Sequence, residues 1–249
     1  MGWLGSIFTS KKIQNTEKFN ISAIRTDMHS HIIPGIDDGS RSLDESIAII
    51  NKFKSLGYRK LITTPHIMAE VFPNNRETIE NGLNRLRNEL DRIQLDIEIE
   101  AAAEYYFDDT FLKSVQGGDV LSFSDNYVLV EFSFHSEPSN EQVLFFEMQM
   151  KGYKPILAHF ERYTYFDDFI EKAKFYRELG VNIQLNLNSL TGHYGQTVKK
   201  QAEKLIDNDL IQFVGTDCHR IQHLNLLESH LDDFYLSKLN GLQLKNQLL

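Results

Sequence analysis

Asp27-Met28-His29-Ser30-His31 places two imidazoles one residue apart. In extended chain, positions i and i+2 point to the same side. His29 and His31 can therefore reach one ion together, and so can Asp217 and His219 in Gly215-Thr216-Asp217-Cys218-His219. Imidazole and carboxylate donors suit Zn, Mn or Fe. Further donors are scattered along the chain. Asp38 lies in the turn Pro34-Gly35-Ile36-Asp37-Asp38-Gly39, His66 follows Thr64-Pro65, and Glu104 follows three alanines. Glu131 and His159 come later. Small neighbours leave Glu104 room to bridge two ions. Two ions about 3.5–4 Å apart activate a water and hold the oxygens of a phosphoryl group.

The elements that must position these groups are legible as an alternation. Runs rich in Ile, Val, Leu and Tyr read as strands at 23–29, 60–64, 97–104, 127–134, 155–159, 181–186 and 211–216. Between them lie amphipathic runs. Ser42-Leu43-Asp44-Glu45 is a capping-box pattern, and Gly57 stops the helix it opens. Positions 75–92, 139–151, 166–179, 196–207 and 221–239 read as helices too, and Gly180 ends the fourth of the six. Strand then helix, repeated, predicts a parallel sheet with crossover helices. With no linker or repeat to divide it, the chain is expected to close as a single α/β barrel, with an open doubly wound sheet as the second choice. The candidate donors then fall at the C-terminal ends of successive strands, where such barrels assemble active sites. One histidine at a strand end is usually a hydrogen-bonded packing residue. Five histidines and several acids at the same end of successive strands are not explained by packing. His230 reads as a solvated helix residue, and His135, His193 and His223 carry no assignment.

Composition narrows the field. The chain has 249 residues, 41% apolar and 24% charged, as soluble globular proteins do. Its net charge of −9 disfavours nucleic acid and anionic membrane. No apolar run approaches the ~20 residues of a membrane span. Cys218 is the single cysteine, so no intrachain disulfide forms, which fits a reducing compartment. The apolar start Met1 to Phe8 precedes Lys11 and Lys12, the reverse of a signal peptide. The expectation is an N-terminal segment over 1–20 outside a single barrel domain over 21–249.

The motif 27–31, followed by Ile33 to Gly39, resembles the PHP (polymerase and histidinol phosphatase) superfamily. More closely, it is similar to the bacterial tyrosine phosphatases of capsule and exopolysaccharide synthesis. Thr64-Pro65-His66, Ala158-His159-Phe160-Glu161-Arg162-Tyr163, Gln184-Leu185-Asn186, Ser189-Leu190-Thr191-Gly192 and 215–219 match in order, from about Arg25 to His219. The resemblance implies a distorted (β/α)7 barrel of PHP type with three divalent ions, manganese first, with Fe, Zn or Co as alternatives. It implies His29, His31, Glu104 and Asp217 on the first ion. His66 and His159 would hold the second and share Glu104; Asp38, Glu131 and His219 would hold the third. Arg162 would grip the substrate phosphate, since its planar fork suits phosphate oxygens. An ion pair with Glu161 or Asp167 is the competing role for Arg162. Two positions depart from the family pattern. Phe160 replaces a common proline, which is expected to alter loop shape rather than ligation. Leu224 replaces an arginine common five residues after the last histidine; Arg220 and His223 are nearby but unaligned.

The implied reaction is phosphomonoester hydrolysis by attack of metal-bound hydroxide, without a covalent intermediate. Cys218 is not expected to be a nucleophile, because a cysteine phosphatase needs an arginine six positions on, and that position is again Leu224. The implied substrate is a phosphotyrosine protein, the tail of a polysaccharide-export tyrosine kinase, in the cytoplasm. No nucleic-acid partner and no stable membrane insertion are expected; homo-oligomerisation is open. The alternatives are a histidinol-phosphate-type small-molecule phosphatase, a polymerase-associated exonuclease and a non-catalytic metal-stabilised interaction module.

Overall fold

Pro65 has no N–H to give to a strand ladder, and the expected strand 60–64 stops short of it. In the computed structural model, which describes residues 17–249, that strand is β2 (Lys60–Thr63), and the same stave resumes beyond the proline as β3 (His66–Ile67), which was not expected. Its neighbour breaks at the same level, into β4 (Glu98–Ala101) and β5 (Glu104–Tyr106). Ala102 N–H donates to Thr63 C=O at 2.9 Å and Glu104 N–H to Pro65 C=O at 3.1 Å, so the register crosses the break. With β1 (Thr26–Asp27), β6 (Tyr127–Glu131), β7 (Lys154–Leu157), β8 (Asn182–Asn186) and β9 (Phe213–Gly215), these pieces make seven staves. Every pairing is parallel, in the orders β1-β2-β4 and β3-β5-β6-β7-β8-β9. The expected distorted α/β barrel is the fold observed.

The seam between the first and last staves explains the distortion. Near the site, backbone closes it: Asp217 N–H donates to His29 C=O at 2.8 Å, and His31 N–H to Cys218 C=O at 2.9 Å. Further down, side chains do the closing. The Asn246 amide accepts from Val214 N–H and donates to Val214 C=O and Thr26 C=O. Asp27 Oδ1 accepts from Thr216 N–H at 2.9 Å. These bonds satisfy backbone groups that a regular ladder would have paired.

The helices are α1 (Ile21–Ile24), α2 (Leu43–Leu56), α3 (Arg76–Arg92), α4 (Asp109–Gly117), α5 (Glu141–Met150), α6 (Phe169–Glu178), α7 (Leu187–Leu190), α8 (Gln196–Asp207), α9 (Ile221–Glu228) and α10 (Phe234–Lys238). Ser42 accepts from Glu45 N–H and Gly57 ends α2 at φ 104°, as the sequence indicated. Three of the differences from expectation bear most on the fold. The first strand does not begin at residue 23: α1 occupies that stretch, and Arg25 at φ 66° turns the chain into β1. The helix expected over 221–239 is two, because Asp233 accepts from Tyr235 N–H and Leu236 N–H and starts α10. α4 was not expected; Asp108 caps it and it buries only Phe111 and Val115, too short a face to register as a period.

Side chains alternate across the staves. On β6, Val128 and Val130 join the large cluster under the helices, whereas Leu129 points inside. Met28, Ile62, Ala102, Leu129, Ile156 and Phe213 fill the barrel interior, so it is a packed core rather than a pore. The segment 1–20 falls outside the described residues through position 16; Phe19 is buried, and its N–H donates to Leu231 C=O at 2.7 Å. No helix among the described residues is long and apolar enough to cross a membrane.

Candidate metal centre

All nine candidate donors meet at the C-terminal end of the barrel. His29 Nε2 lies 3.2 Å from Glu104 Oε2, and His31 Nε2 lies 3.4 Å from the same oxygen. Both imidazoles are 3.4 Å from Asp217 Oδ1. His66 Nδ1 is 3.1 Å from Glu104 Oε2, and His159 Nε2 is 3.0 Å from Glu104 Oε1. Glu131 approaches His159 at 3.5 Å and His66 at 3.7 Å. Asp38 Oδ1 stands 3.3 Å from His219 Nε2 and 3.6 Å from His66 Nε2.

The donor set fits divalent cations. Two donors at 2.0–2.2 Å from one ion are themselves roughly 3–3.5 Å apart, and most of these separations fall there. His66 Nδ1 and Glu104 Oε2 are buried and close, yet neither has a hydrogen-bond partner. Four overlapping groups have their donor atoms within 4.8 Å: His29, His31 and Glu104; His29, His159 and Asp217; His66, Glu104 and Glu131; His31, Asp38, His66 and His219. Glu104 sits in two of them, as a bridging carboxylate would. Glu131 groups with His66 and Glu104, not with Asp38 and His219, which differs from the third set the resemblance implied.

Electrostatics make the same point. Glu104, Glu131 and Asp217 are all buried. Burial would raise Glu104, but the charges of His29 and His66 hold it well below the usual carboxylate range. Burial is likewise outweighed at Asp217 by His29 and His219. Glu131 goes the other way: burial and the neighbouring Glu104 charge push it well above that range. Burial and Arg162 bring His159 down to about 4. Three buried carboxylates cannot all stay ionised on imidazole charge alone. Cations among them would let all three ionise.

Outer partners aim the rings. Asp37 Oδ2 sits 2.8 Å from His31 Nδ1, and Gln184 Oε1 sits 3.2 Å from His29 Nδ1. Gln184 Oε1 also accepts from His159 N–H at 2.7 Å. Such partners fix which ring nitrogen faces a metal. Asn186 donates to Asp217 Oδ2 at 3.0 Å. Sequence reading passed over Asp37, Gln184 and Asn186 as site residues. The signal available was their place: Asp37 adjoins Asp38, and Gln184 and Asn186 alternate on β8. Close backbone approach also matters. A Cβ at Gly215 would stand 2.7 Å from His29 Cβ, and one at Gly39 would overlap His31 C=O. His159 and Asp217 both take left-handed backbone, at φ 31° and 48°, a strain typical of functional positions. Asp217 and His219 are therefore not an extended i, i+2 pair. A turn brings them together, with His219 Nδ1 2.9 Å from Asp217 C=O.

Arg162 lines a cavity of about 240 Å³ over this cluster. Its guanidinium pairs with Asp217 at 3.1 Å rather than with Glu161 or Asp167. It lies between two rings, 4.3 Å from the Phe134 centroid and 4.4 Å from that of Tyr194. Phe160 is fully buried against Phe166 and Phe169, and His159 keeps its place beside it. Leu224 is fully buried, whereas Arg220 and His223 line the cavity. Cys218 is buried, its thiol pushed well up by burial and the Asp27 charge.

The capsular polysaccharide synthesis, CpsB/CapC, family model matches residues 25–226. Tyrosine-protein phosphatase YwqE of Bacillus subtilis is 28% identical over 200 residues, 80% of this chain and 79% of that protein. A crystal structure from the work on YwqE of Bacillus subtilis and CpsB of Streptococcus pneumoniae, described there as unique metal-dependent tyrosine phosphatases, superposes with a TM-score of 0.76. Its identity is 27%, over 90% of this chain and 93% of that one. An amidohydrolase from Mycoplasma synoviae superposes with a TM-score of 0.53 at 14% identity, over 91% and 85% of the two chains, a likeness of fold alone.

Proposed function

The chain belongs to the CpsB/CapC family of capsular polysaccharide synthesis, and from that premise we propose that it is a metal-dependent tyrosine-protein phosphatase. The observation that carries the reading is the position of Arg162. Its guanidinium shares one cavity with His66, His159, His219 and four acids, and these donors lie in bonding range of the buried His29 and His31. It thus joins a fork for phosphate oxygens to a site that fits cations.

His29, His31, Asp38, His66, Glu104, Glu131, His159, Asp217 and His219 would hold three divalent cations, manganese first among Mn, Fe, Zn and Co. Bound there, such ions acidify water and neutralise phosphoryl oxygens. The chain's own residues supply the rest. Arg162 binds the equatorial oxygens, and the rings of Phe134 and Tyr194 fix its plane. Asp217 orients it from one edge. Water is the nucleophile: the bond from phosphorus to the tyrosyl oxygen breaks, and phosphate and tyrosine leave.

A groove of about 850 Å³ adjoins the centre and shares Asp38, His66, Glu131 and Phe134 with it. Met68, Val71, Phe72 and Tyr106 also line it. That wall gives a phenyl ring an apolar surface to lie on, in keeping with the tyrosine reading, while Glu70, Asp108 and Asp109 also line the groove. The protein substrate we propose is the phosphorylated tail of a polysaccharide-export tyrosine kinase, met in the cytoplasm by the barrel unit 21–249. Comparing kcat/KM on a phosphotyrosyl peptide and on histidinol phosphate tests the reading. A preference for the peptide is expected; a preference for histidinol phosphate would replace this function with the alternative.

A further inference from the structure

A second cavity, of about 600 Å³, opens beside the centre between the first turns of α2 and α9. It shares Asp38, His219, Arg220 and His223 with the central cavity. Arg41 and Arg220 line it with exposed side chains. Charged contacts of this region include those of Asp38 with His66 and His219, of His219 with Asp217 and of Arg162 with Asp217; among the described residues neither Arg41 nor Arg220 enters an ion pair. Glu45, which also lines the cavity, is engaged in capping: its Oε2 accepts from Arg41 N–H at 2.9 Å. What sets Arg41 and Arg220 apart from other exposed cations is that both line one cavity that shares a wall with the centre.

Local structure explains why the cations sit here. α9 buries Leu224 and Leu227 on its inner face. Position 224 therefore faces the core and presents nothing to substrate. Arg220 is the N-cap of α9, extended at φ −155°, ψ 156°, and makes no side-chain capping bond. The first N–H groups of α9 are thus without a side-chain acceptor, at the positive end of the helix dipole. His193 and His223 form part of the wall, their rings 5.2 Å apart.

We infer that Arg41, Arg220 and the first turn of α9 form an anion subsite that binds an acidic group flanking the phosphotyrosine of the substrate peptide. The inference rests on the phosphatase reading for the identity of the neighbouring group. The common wall sets the reach: an extended peptide advances about 3.3–3.6 Å per residue, so a side chain one or two positions along enters the second cavity while the phosphate occupies the first. The acidic group is a carboxylate or a second phosphate. Two guanidinium groups accept either.

The test uses the full chain loaded with Mn and three peptides of one sequence: phosphotyrosine flanked by Gln, by Glu, or by a second phosphotyrosine. Steady-state kinetics are paired with fluorescence anisotropy on versions carrying a non-hydrolysable phosphonate in place of phosphotyrosine. Wild type is expected to favour an acidic peptide over the Gln peptide by roughly 5–10-fold in KM and in affinity. The Glu and second-phosphate peptides tell which source is preferred. The double variant Arg41→Gln, Arg220→Gln is expected to bring that ratio close to one. No preference in wild type, or a preference that survives in the variant, overturns the subsite. If no peptide is hydrolysed but the anisotropy preference is present and lost in the variant, the subsite stands and the phosphatase reading falls. Both side chains are exposed, and matched thermal melts confirm that the variant folds.

Discussion

Arg162 Nη1 donates to Asp217 Oδ2 at 3.1 Å, while the other oxygen of Asp217 faces the imidazoles of His29, His31 and His219 at 3.3–3.4 Å. One carboxylate thus ties the guanidinium proposed to grip phosphate to the candidate ligands. The arrangement keeps a guanidinium edge directed into the cavity at a fixed offset from the centre. It also means that a change at Arg162 reaches the cluster through a single bond, so grip and metal occupancy are separable by experiment.

Arg162→Gln removes the fork and leaves the nine donors. Its kcat/KM on a phosphotyrosyl peptide should fall roughly 10²–10³-fold, with metal content near wild type. Arg162→Lys keeps the charge without the planar fork and should recover only part of the loss. Steady-state kinetics with elemental analysis read both. Loss of metal, with KM and kcat restored to wild type by added Mn, would show that Arg162 supports the cluster and does not bind phosphate.

Gly215→Ala would push a methyl to 2.7 Å from His29 Cβ and 3.0 Å from Gln184 Nε2. Overpacking of this kind costs roughly 1–3 kcal/mol, and here it displaces a candidate ligand and the partner that orients it. A lowered melting temperature together with lowered metal content is the expected result. Gly241→Ala, where nothing stands within 4 Å of the new methyl, is the control and should change neither.

Cys218→Ser should retain turnover within roughly threefold of wild type, because water and not thiolate is the nucleophile. The thiol is buried, and Sγ donates to Arg220 C=O at 3.4 Å, a bond that serine can make. Near-complete loss with metals still bound would point instead to a cysteinyl-phosphate mechanism.

Glu161 predicts a pH dependence of stability. Burial raises its pKa from 4.5 to about 7, against the bonds it accepts from Ser189 and Asn186. The folded pKa of this acid is raised, so the folded state binds the extra proton. Its contribution is fully present below pH 4.5 and is lost as pH rises through 7. The shift of about 2.5 corresponds to on the order of 3 kcal/mol. Glu161→Gln should therefore flatten the fall in stability between pH 5 and 8 in denaturant titrations with metal present throughout. An unchanged slope would mean that Glu161 ionises freely in the fold.

The number of staves and the donors at their ends were legible in the sequence, because β-branched runs are local and each donor except Asp38 lies at or near the end of one. His29 and His31 showed their shared side directly, since Ser30 between them stays in a parallel bridge with Cys218; the same spacing at Asp217 and His219 did not, because Asp217 takes left-handed backbone. The expected strand 60–64 stopped short of Pro65, and its resumption at His66 was not foreseen; nor was the matching break between Ala101 and Glu104, which is imposed by the neighbouring stave. The start of the first strand was misplaced: a four-residue helix such as α1 leaves no period to detect. Asp37, Gln184, Asn186 and Phe134 gained their roles only through register. Gln184, for example, meets His29 from 155 residues away, a contact no local pattern encodes. The same holds for Glu131, whose companions His66 and Glu104 are set by how β3, β5 and β6 align.

The central claim is that the cluster around His29 holds metal ions and that turnover depends on them. Its most direct measurement is metal content and phosphotyrosyl-peptide turnover, determined on the same preparations of wild type and His29→Ala purified without chelator. Wild type should carry about three divalent ions per chain, lose turnover on chelation and regain it with Mn; His29→Ala should carry fewer ions and show no turnover. Full turnover in His29→Ala, or in wild type stripped of metal, would contradict the account.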